Sequence, residues 1–148
     1  MTTGSNANKF PHFSEHKTGK NRHFLEALHY ARVGIVYAFR SERNLRIEGV
    51  IFILALVMAG VVGLTRLEWV ALILCAMAVF AAEFTNTLIE WVCDLYVGEH
   101  YHPLVKHIKD AAAGLVTLIT LGAVLVGLLL FVPHLWAWVA PLLMHLSQ

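Results

Sequence analysis

Residues 83–94 read Glu83-Phe84-Thr85-Asn86-Thr87-Leu88-Ile89-Glu90-Trp91-Val92-Cys93-Asp94. At about 100° per residue, Glu83, Asn86, Glu90 and Asp94 fall within roughly 80° of one another on a helix. The stretch before them, Trp69 to Ala82, carries no charge. Counted from Trp69, Glu83 lies about 21 Å and Glu90 about 32 Å along the axis. An ionisable residue at the depth of Glu83 costs at least about 2.5–3.5 kcal/mol to insert in a bilayer. One interhelical hydrogen bond would account for Asn86 or Thr87 alone. It accounts poorly for four aligned polar residues, three of them acids. Carboxylates so close repel unless a cation intervenes, which points to a divalent metal and a phosphate ligand for it.

The composition surrounds this stripe with hydrocarbon. Of 148 residues, 58% are hydrophobic and 14% charged, against about 45–50% and 25% in a soluble domain. Disorder, a nucleic-acid-binding domain and an average soluble enzyme are excluded. A net charge of +1 is too weak a field to imply a polyanionic partner. Gly49 to Thr65 is uncharged, and nothing beyond Asp110 is charged. The expected fold is all-α and integral to the membrane, with transmembrane helices at about 47–65, 68–94 and 111–132. Trp69 and Trp91, roughly 33 Å apart along one helix, suit anchors at the two interfaces.

Outside the spans, residues 1–21 read as a mobile cytoplasmic tail with no secretory signal. The membrane domain runs over 22–134. Phe24, Leu28, Ala31, Ile35 and Phe39 share one side of a helix at about 22–41, read as lying on the membrane surface, with a soluble cap over the bundle as the alternative. Pro133 is expected to close the third span, leaving 135–148 as a short apolar interfacial tail with Trp136 and Trp138. Eight Lys and Arg precede the first span, one follows it, two lie in the second loop and none after the third span. That alternation places the N-terminus and the 95–110 loop in the cytoplasm. Cys75 and Cys93 lie about 27 Å apart on one helix and cannot bridge within a chain. His100, His102 and His107 show no metal-ligand spacing and read as a loop near phosphates or headgroups.

Two more clusters face the cytoplasmic side. Glu42, Arg43, Asn44, Arg46 and Glu48 crowd the entrance of the first span, where Glu42 and Arg46 have the spacing of a surface ion pair. Lys106, Lys109 and Asp110 stand before the third. Carboxylates for Mg²⁺, lysines for phosphate and a deep carboxylate for deprotonation are the ingredients of phosphoryl transfer. No GxxxxGK[ST] loop or protein-kinase signature is present.

These residues also carry a resemblance. Glu-Phe-Thr-Asn-Thr-Leu-Ile-Glu at 83–90 followed by Asp94, Ser-Glu-Arg-Asn-Leu-Arg-Ile at 41–47 and Lys-Asp-Ala-Ala-Ala-Gly at 109–114 are similar to motifs of the bacterial membrane diacylglycerol kinase family. The resemblance spans about 22–134. Glu42-Arg43-Asn44, Asn86-Thr87 and His102-Pro103 resemble the Gram-positive branch that phosphorylates undecaprenol. It implies a homotrimer of three-helix protomers in the bacterial cell membrane, with a surface helix and shared active sites, that transfers phosphate from ATP with Mg²⁺ to a membrane lipid alcohol. By the same resemblance Glu83 is the catalytic base, Glu42 and Glu90 hold the metal, and Lys109 binds phosphate. Tyr30, Glu42, Glu90, Asp94, Glu99, Tyr101, His102, Lys109 and Asp110 fall at ATP-binding positions. Asn86, Asn44, Arg46, Glu48 and Ala113 fall at substrate or supporting positions. Diacylglycerol is the alternative acceptor. A non-enzymatic ion or proton pathway is the rival class, disfavoured because no polar residue continues the stripe from Glu83 to the outer interface.

Overall fold

A computed structural model describes residues 24–98 and 100–146 of the chain. The expected tail over 1–21 and the ATP-position residue Glu99 lie outside the described residues. Four helices follow one another: α1, Phe24–Ser41; α2, Arg43–Val62; α3, Arg66–Val97; and α4, Pro103–Leu146. No strand occurs among the described residues. Three of the helices, α2, α3 and α4, are long and apolar enough to cross a membrane. The chain forms two compact units, Met1–Ile35 and Val36–Gln148, so that the last turns of α1 belong with α2–α4. Within the second unit, α4 packs chiefly along α3.

A single extended residue, Glu42 (φ −97°, ψ 123°), separates α1 from α2. Helix ends leave carbonyls without intrahelical partners. Here Arg46 meets that need, its Nη1 donating to the carbonyls of Phe39 at 3.3 Å and Arg40 at 2.7 Å. The Glu42–Arg46 ion pair expected from spacing therefore does not form. Glu42 is not helical, so the two residues do not share a helix face, and Arg46 turns back onto α1. Ala38 and Leu45, on either side of this elbow, are fully buried.

The first span ends earlier than its hydrophobicity indicates. Gly63 takes the left-handed conformation (φ 75°, ψ 48°), and the amides of Gly63 and Leu64 both donate to the Ala59 carbonyl at 3.1 Å. Thr65 then caps α3: its Oγ1 accepts from Glu68 N–H at 3.4 Å, and Glu68 Oε2 accepts from Thr65 N–H at 2.7 Å. This reciprocal box satisfies two orphan donors. Glu68 also lies 3.7 Å from His134 Nε2, tying α4 to the α2–α3 turn. Beneath the turn, Ala59, Val62, Leu64 and Leu72 form a buried cluster against which Trp69, Leu130 and Phe131 pack. Trp69 thus packs partly inward rather than acting only as an interface anchor.

The third span needs a larger correction. Instead of closing at Pro133, α4 continues through Pro133 and Pro141 to Leu146, and it begins at Pro103 rather than near 111. The segment expected as an interfacial tail is helical up to that point. Its 44 residues at 1.5 Å each measure about 66 Å, some twice the ~30 Å hydrocarbon core. An interior proline removes one hydrogen bond and crowds the carbonyl four residues back. No Gly, Asn, Asp or Ser lies between Pro133 and Leu146 to build a turn, so the helix remains the form that satisfies the backbone in an apolar stretch. His134 Nδ1 lies 2.9 Å from the Leu130 carbonyl, giving a group in the disturbed turn an added donor. At the other end, Pro103 suits a first helical turn, where its missing N–H is not needed.

Nothing lies within 4 Å of where a Cβ on Gly63 would sit, so its requirement is conformational. Gly63→Ala should therefore lower unfolding stability in detergent by about 1–2 kcal/mol. An unchanged denaturation midpoint would show that the left-handed turn does not set the α2–α3 register.

Candidate functional site

The stripe on α3 passes from the interior to the surface. Glu83 is 4% exposed and Asn86 8%, Glu90 is half-buried, and Asp94 is exposed. Beside its buried end, a cavity of about 300 Å³ opens between α2, α3 and α4. Phe52, Leu72, Phe80, Val124 and Phe131 line it with apolar surface, and Glu48, Cys75 and Thr120 are its polar-atom-bearing residues. Phe80 stacks edge-on against Phe52, with ring centroids 5.9 Å apart, and packs against Phe39 at 6.0 Å. The last turn of α1, α2 and α3 are thereby wedged together next to the acids.

Glu48 is the residue that the structure places differently from its position in the sequence. By spacing it belongs with the charged entrance of the first span. In the fold, its carboxyl lies close enough to Glu83 for their charges to interact. Glu48 Oε2 is buried and has no hydrogen-bond partner, and the same is true of Asn86 Oδ1. Unpaired buried acceptors are costly, by about 1–3 kcal/mol each. The Glu48 acceptor, in the lining of an apolar cavity, matches a ligand that brings one O–H group into hydrocarbon.

The other two carboxylates are each held by a neutral donor from α3. Asn86 Nδ2 donates to Glu90 Oε1 at 2.9 Å. Trp91 Nε1 donates to Glu42 Oε1 at 3.3 Å. Trp91 is itself packed edge-on by Tyr37, ring centroids 5.3 Å apart, so that part of its ring faces the protein. No group of three or more His, Cys, Asp and Glu gathers to hold a metal among the described residues. A pair of carboxylates is nevertheless what Mg²⁺ commonly takes from a protein, because it keeps waters and substrate phosphates as its other ligands. The donor set fits that ion, since the N–H groups orient the carboxylates without neutralising them.

Two lysines complete the polar end. Lys109 Nζ pairs with Asp94 Oδ1 at 2.5 Å, joining α4 to α3, and Lys106 pairs with Asp110 at 2.5 Å one turn apart on α4. Both pairs are largely exposed, where water screens the attraction. They leave cationic groups at the surface end of the stripe at little structural gain. Tyr101 and His102 are exposed in the α3–α4 connection, Asn44 is exposed on α2, and Ala113 is exposed on α4. Arg46 is engaged at the end of α1, as described. Tyr30 lies in the first unit and donates to Glu26 at 3.3 Å. Sequence spacing could not reveal the roles of Glu48 and Trp91. Each depends on how α2 and α3 are rotated against one another.

The arrangement defines a helical membrane protein with an acidic site at one end of an apolar cavity. The family model described as prokaryotic diacylglycerol kinase matches residues 29–131. A Bacillus subtilis protein named undecaprenol kinase is 36% identical over 121 residues, covering 82% of this chain and 97% of that protein. A diacylglycerol kinase of Synechocystis is 39% identical over 111 residues, 75% of this chain and 63% of that protein. The Escherichia coli diacylglycerol kinase is 32% identical over 117 residues, 79% of this chain and 94% of that protein. The chain belongs to the prokaryotic diacylglycerol kinase family and is a multi-pass membrane lipid kinase.

Glu48 is thus held at a cost to the fold. Replacing it by methionine should raise unfolding stability by about 1–3 kcal/mol while lipid phosphorylation falls at least about a hundredfold, as loss of a needed polar group can do. A loss of both stability and activity would assign Glu48 to the framework instead.

Proposed function

We propose that this kinase phosphorylates undecaprenol, transferring the γ-phosphate of ATP to its terminal hydroxyl. The observation that carries the reading is the cavity: apolar along α2–α4, with the Glu48 carboxyl in its lining and one oxygen of that carboxyl buried without a donor. Undecaprenol is hydrocarbon up to its single hydroxyl. Diacylglycerol, the alternative, carries two ester groups, for which this lining offers few polar partners. The undecaprenol kinase of Bacillus subtilis, matched over 97% of its length, supports the same acceptor.

In this reading the polyprenyl chain lies against Phe52, Leu72, Val124 and Phe131, and its hydroxyl reaches Glu48 and Glu83. Glu83 accepts the hydroxyl proton as the oxygen attacks the γ-phosphorus and ADP leaves, with Glu48 beside it at the end of the cavity. Glu42 and Glu90 would hold Mg²⁺, which supplies positive charge to the ATP phosphates when bound. Lys109 turns from Asp94 toward the transferring phosphate and stabilises its developing charge. Asp110 and Lys106, with Tyr101 and His102 in the adjoining connection, border the nucleotide. The buried base and the exposed phosphate-binding end suit substrates that arrive from different phases. The N-terminus and the 95–110 loop then face the cytoplasm, where ATP is, and the charge pattern of the loops supports that orientation. We further propose a homotrimer with sites completed between protomers. The many apolar residues exposed on α2–α4, Ile53, Leu54, Val57 and Leu74 among them, offer surface for such packing.

Two measurements test this. Purified protein offered undecaprenol and diacylglycerol in parallel, with ATP and Mg²⁺, should turn over undecaprenol at least about tenfold faster, a difference of about 1.4 kcal/mol in barrier. A preference for diacylglycerol would overturn the acceptor and leave the site intact. Glu83→Gln should lose transfer to both lipids while the protein remains folded. Near-normal turnover by that variant would remove Glu83 as the base.

A further inference from the structure

Glu42 stands where a helix N-cap would use its side chain, yet it makes no capping hydrogen bond to α2. Its carboxylate turns instead to α3, where Trp91 Nε1 donates to Oε1 at 3.3 Å. Glu42 is the only non-helical residue in the elbow, so its own backbone does little to fix the direction of a long side chain. The indole is better fixed. It sits on the 32-residue α3, is partly buried, and takes the edge contact of Tyr37 from the end of α1. An indole nitrogen donates and never accepts. It can therefore hold one carboxylate oxygen without competing for a cation and without cancelling the charge, as Lys or Arg would. The next residue back on α3 is Glu90, held in the same manner by Asn86.

We infer that Trp91 is a positioning residue: its indole N–H fixes the Glu42 carboxylate so that it is ready for the divalent cation that Glu42 and Glu90 would hold. This rests on the reading of Glu42 and Glu90 as the Mg²⁺ pair. Trp91 touches neither substrate nor metal in this role. It makes the elbow carboxylate ready for the ion, so that ordering Glu42 is not left to the binding step.

The test uses the full-length protein in detergent. Trp91→Phe keeps the ring packing against Tyr37 and removes the N–H. Half-saturation by Mg²⁺ at fixed ATP should rise roughly three- to tenfold, the loss of one hydrogen bond, with the maximal rate at saturating Mg²⁺ falling less than about twofold. Trp91→Gln, which restores an N–H donor of similar reach, should recover part of the shift. Glu42→Gln is the reference. If Glu42→Gln raises the Mg²⁺ requirement and Trp91→Phe does not, the inference fails and the metal assignment stands. If neither raises it, the metal assignment of Glu42 fails and takes the inference with it. A fall in maximal rate in Trp91→Phe at unchanged Mg²⁺ dependence would show a packing role only, and overturns the inference as well. A second readout needs no turnover and no loss of Trp91. In protein with Trp69, Trp136 and Trp138 changed to Phe, Trp91 emission should change with Mg·ADP relative to ADP in EDTA. That change should vanish in Glu42→Gln. Emission that does not respond to Mg·ADP would overturn the inference.

Discussion

A carboxyl inside hydrocarbon is the constraint on which the other features depend. Glu83 is buried near the middle of an apolar helix, next to a second carboxyl, Glu48, whose Oε2 has no partner. Nothing in folding favours that arrangement: two acids lie close together in an apolar surround, and one buried oxygen lacks a donor. Such groups persist in membrane helices when they serve a function. The remaining architecture supports the cost. The Gly63 turn, the Thr65–Glu68 box and the apolar cluster of Ala59, Val62, Leu64 and Leu72 hold the far end of the bundle. The elbow at Glu42, clamped by Arg46, holds the near end. Between these two fixed ends, the space left by α2, α3 and α4 becomes a cavity with Glu48 at its polar limit.

Charge is compensated around α3 in a way that matches this gradient. Among the described residues, the buried acid, Glu83, has no ion-pair partner. The half-buried ones, Glu42 and Glu90, have neutral N–H donors. The exposed Asp94 has Lys109. Compensation by full charge thus occurs only where water already screens it, where an ion pair contributes little and separates readily. A phosphate arriving at the surface end meets lysines held by weak pairs, whereas a hydroxyl arriving through hydrocarbon meets an unpaired acceptor. The proposed separation of the two substrates follows from that gradient.

Much of the fold was legible along the chain. The uncharged runs mark the spans. The end of the first span was also written in the sequence: Gly63 followed by Thr65 and Glu68 is a stop and a start, which hydrophobicity alone overran. Pro133 misled in the other direction. A proline is a strong helix breaker in water, but between α4 residues that have no turn-forming neighbours the helix closes over it. The acidic stripe was fully visible, because a period of 3.6 needs only the order of residues along one helix.

The sequence by itself determined which helices form, which are apolar enough to cross a membrane and which acids share one face of α3. All of these are local, fixed by side-chain chemistry at short spacing. Only the tertiary structure decided which residues from different helices meet. Glu48, six residues beyond Glu42, comes to Glu83, whereas Glu42 comes to Trp91. Arg46, spaced to pair with Glu42, caps α1 instead. Those choices depend on the rotation and depth of α2 against α3 and on one extended residue between α1 and α2. No periodicity within a single segment encodes the angle at which two segments pack.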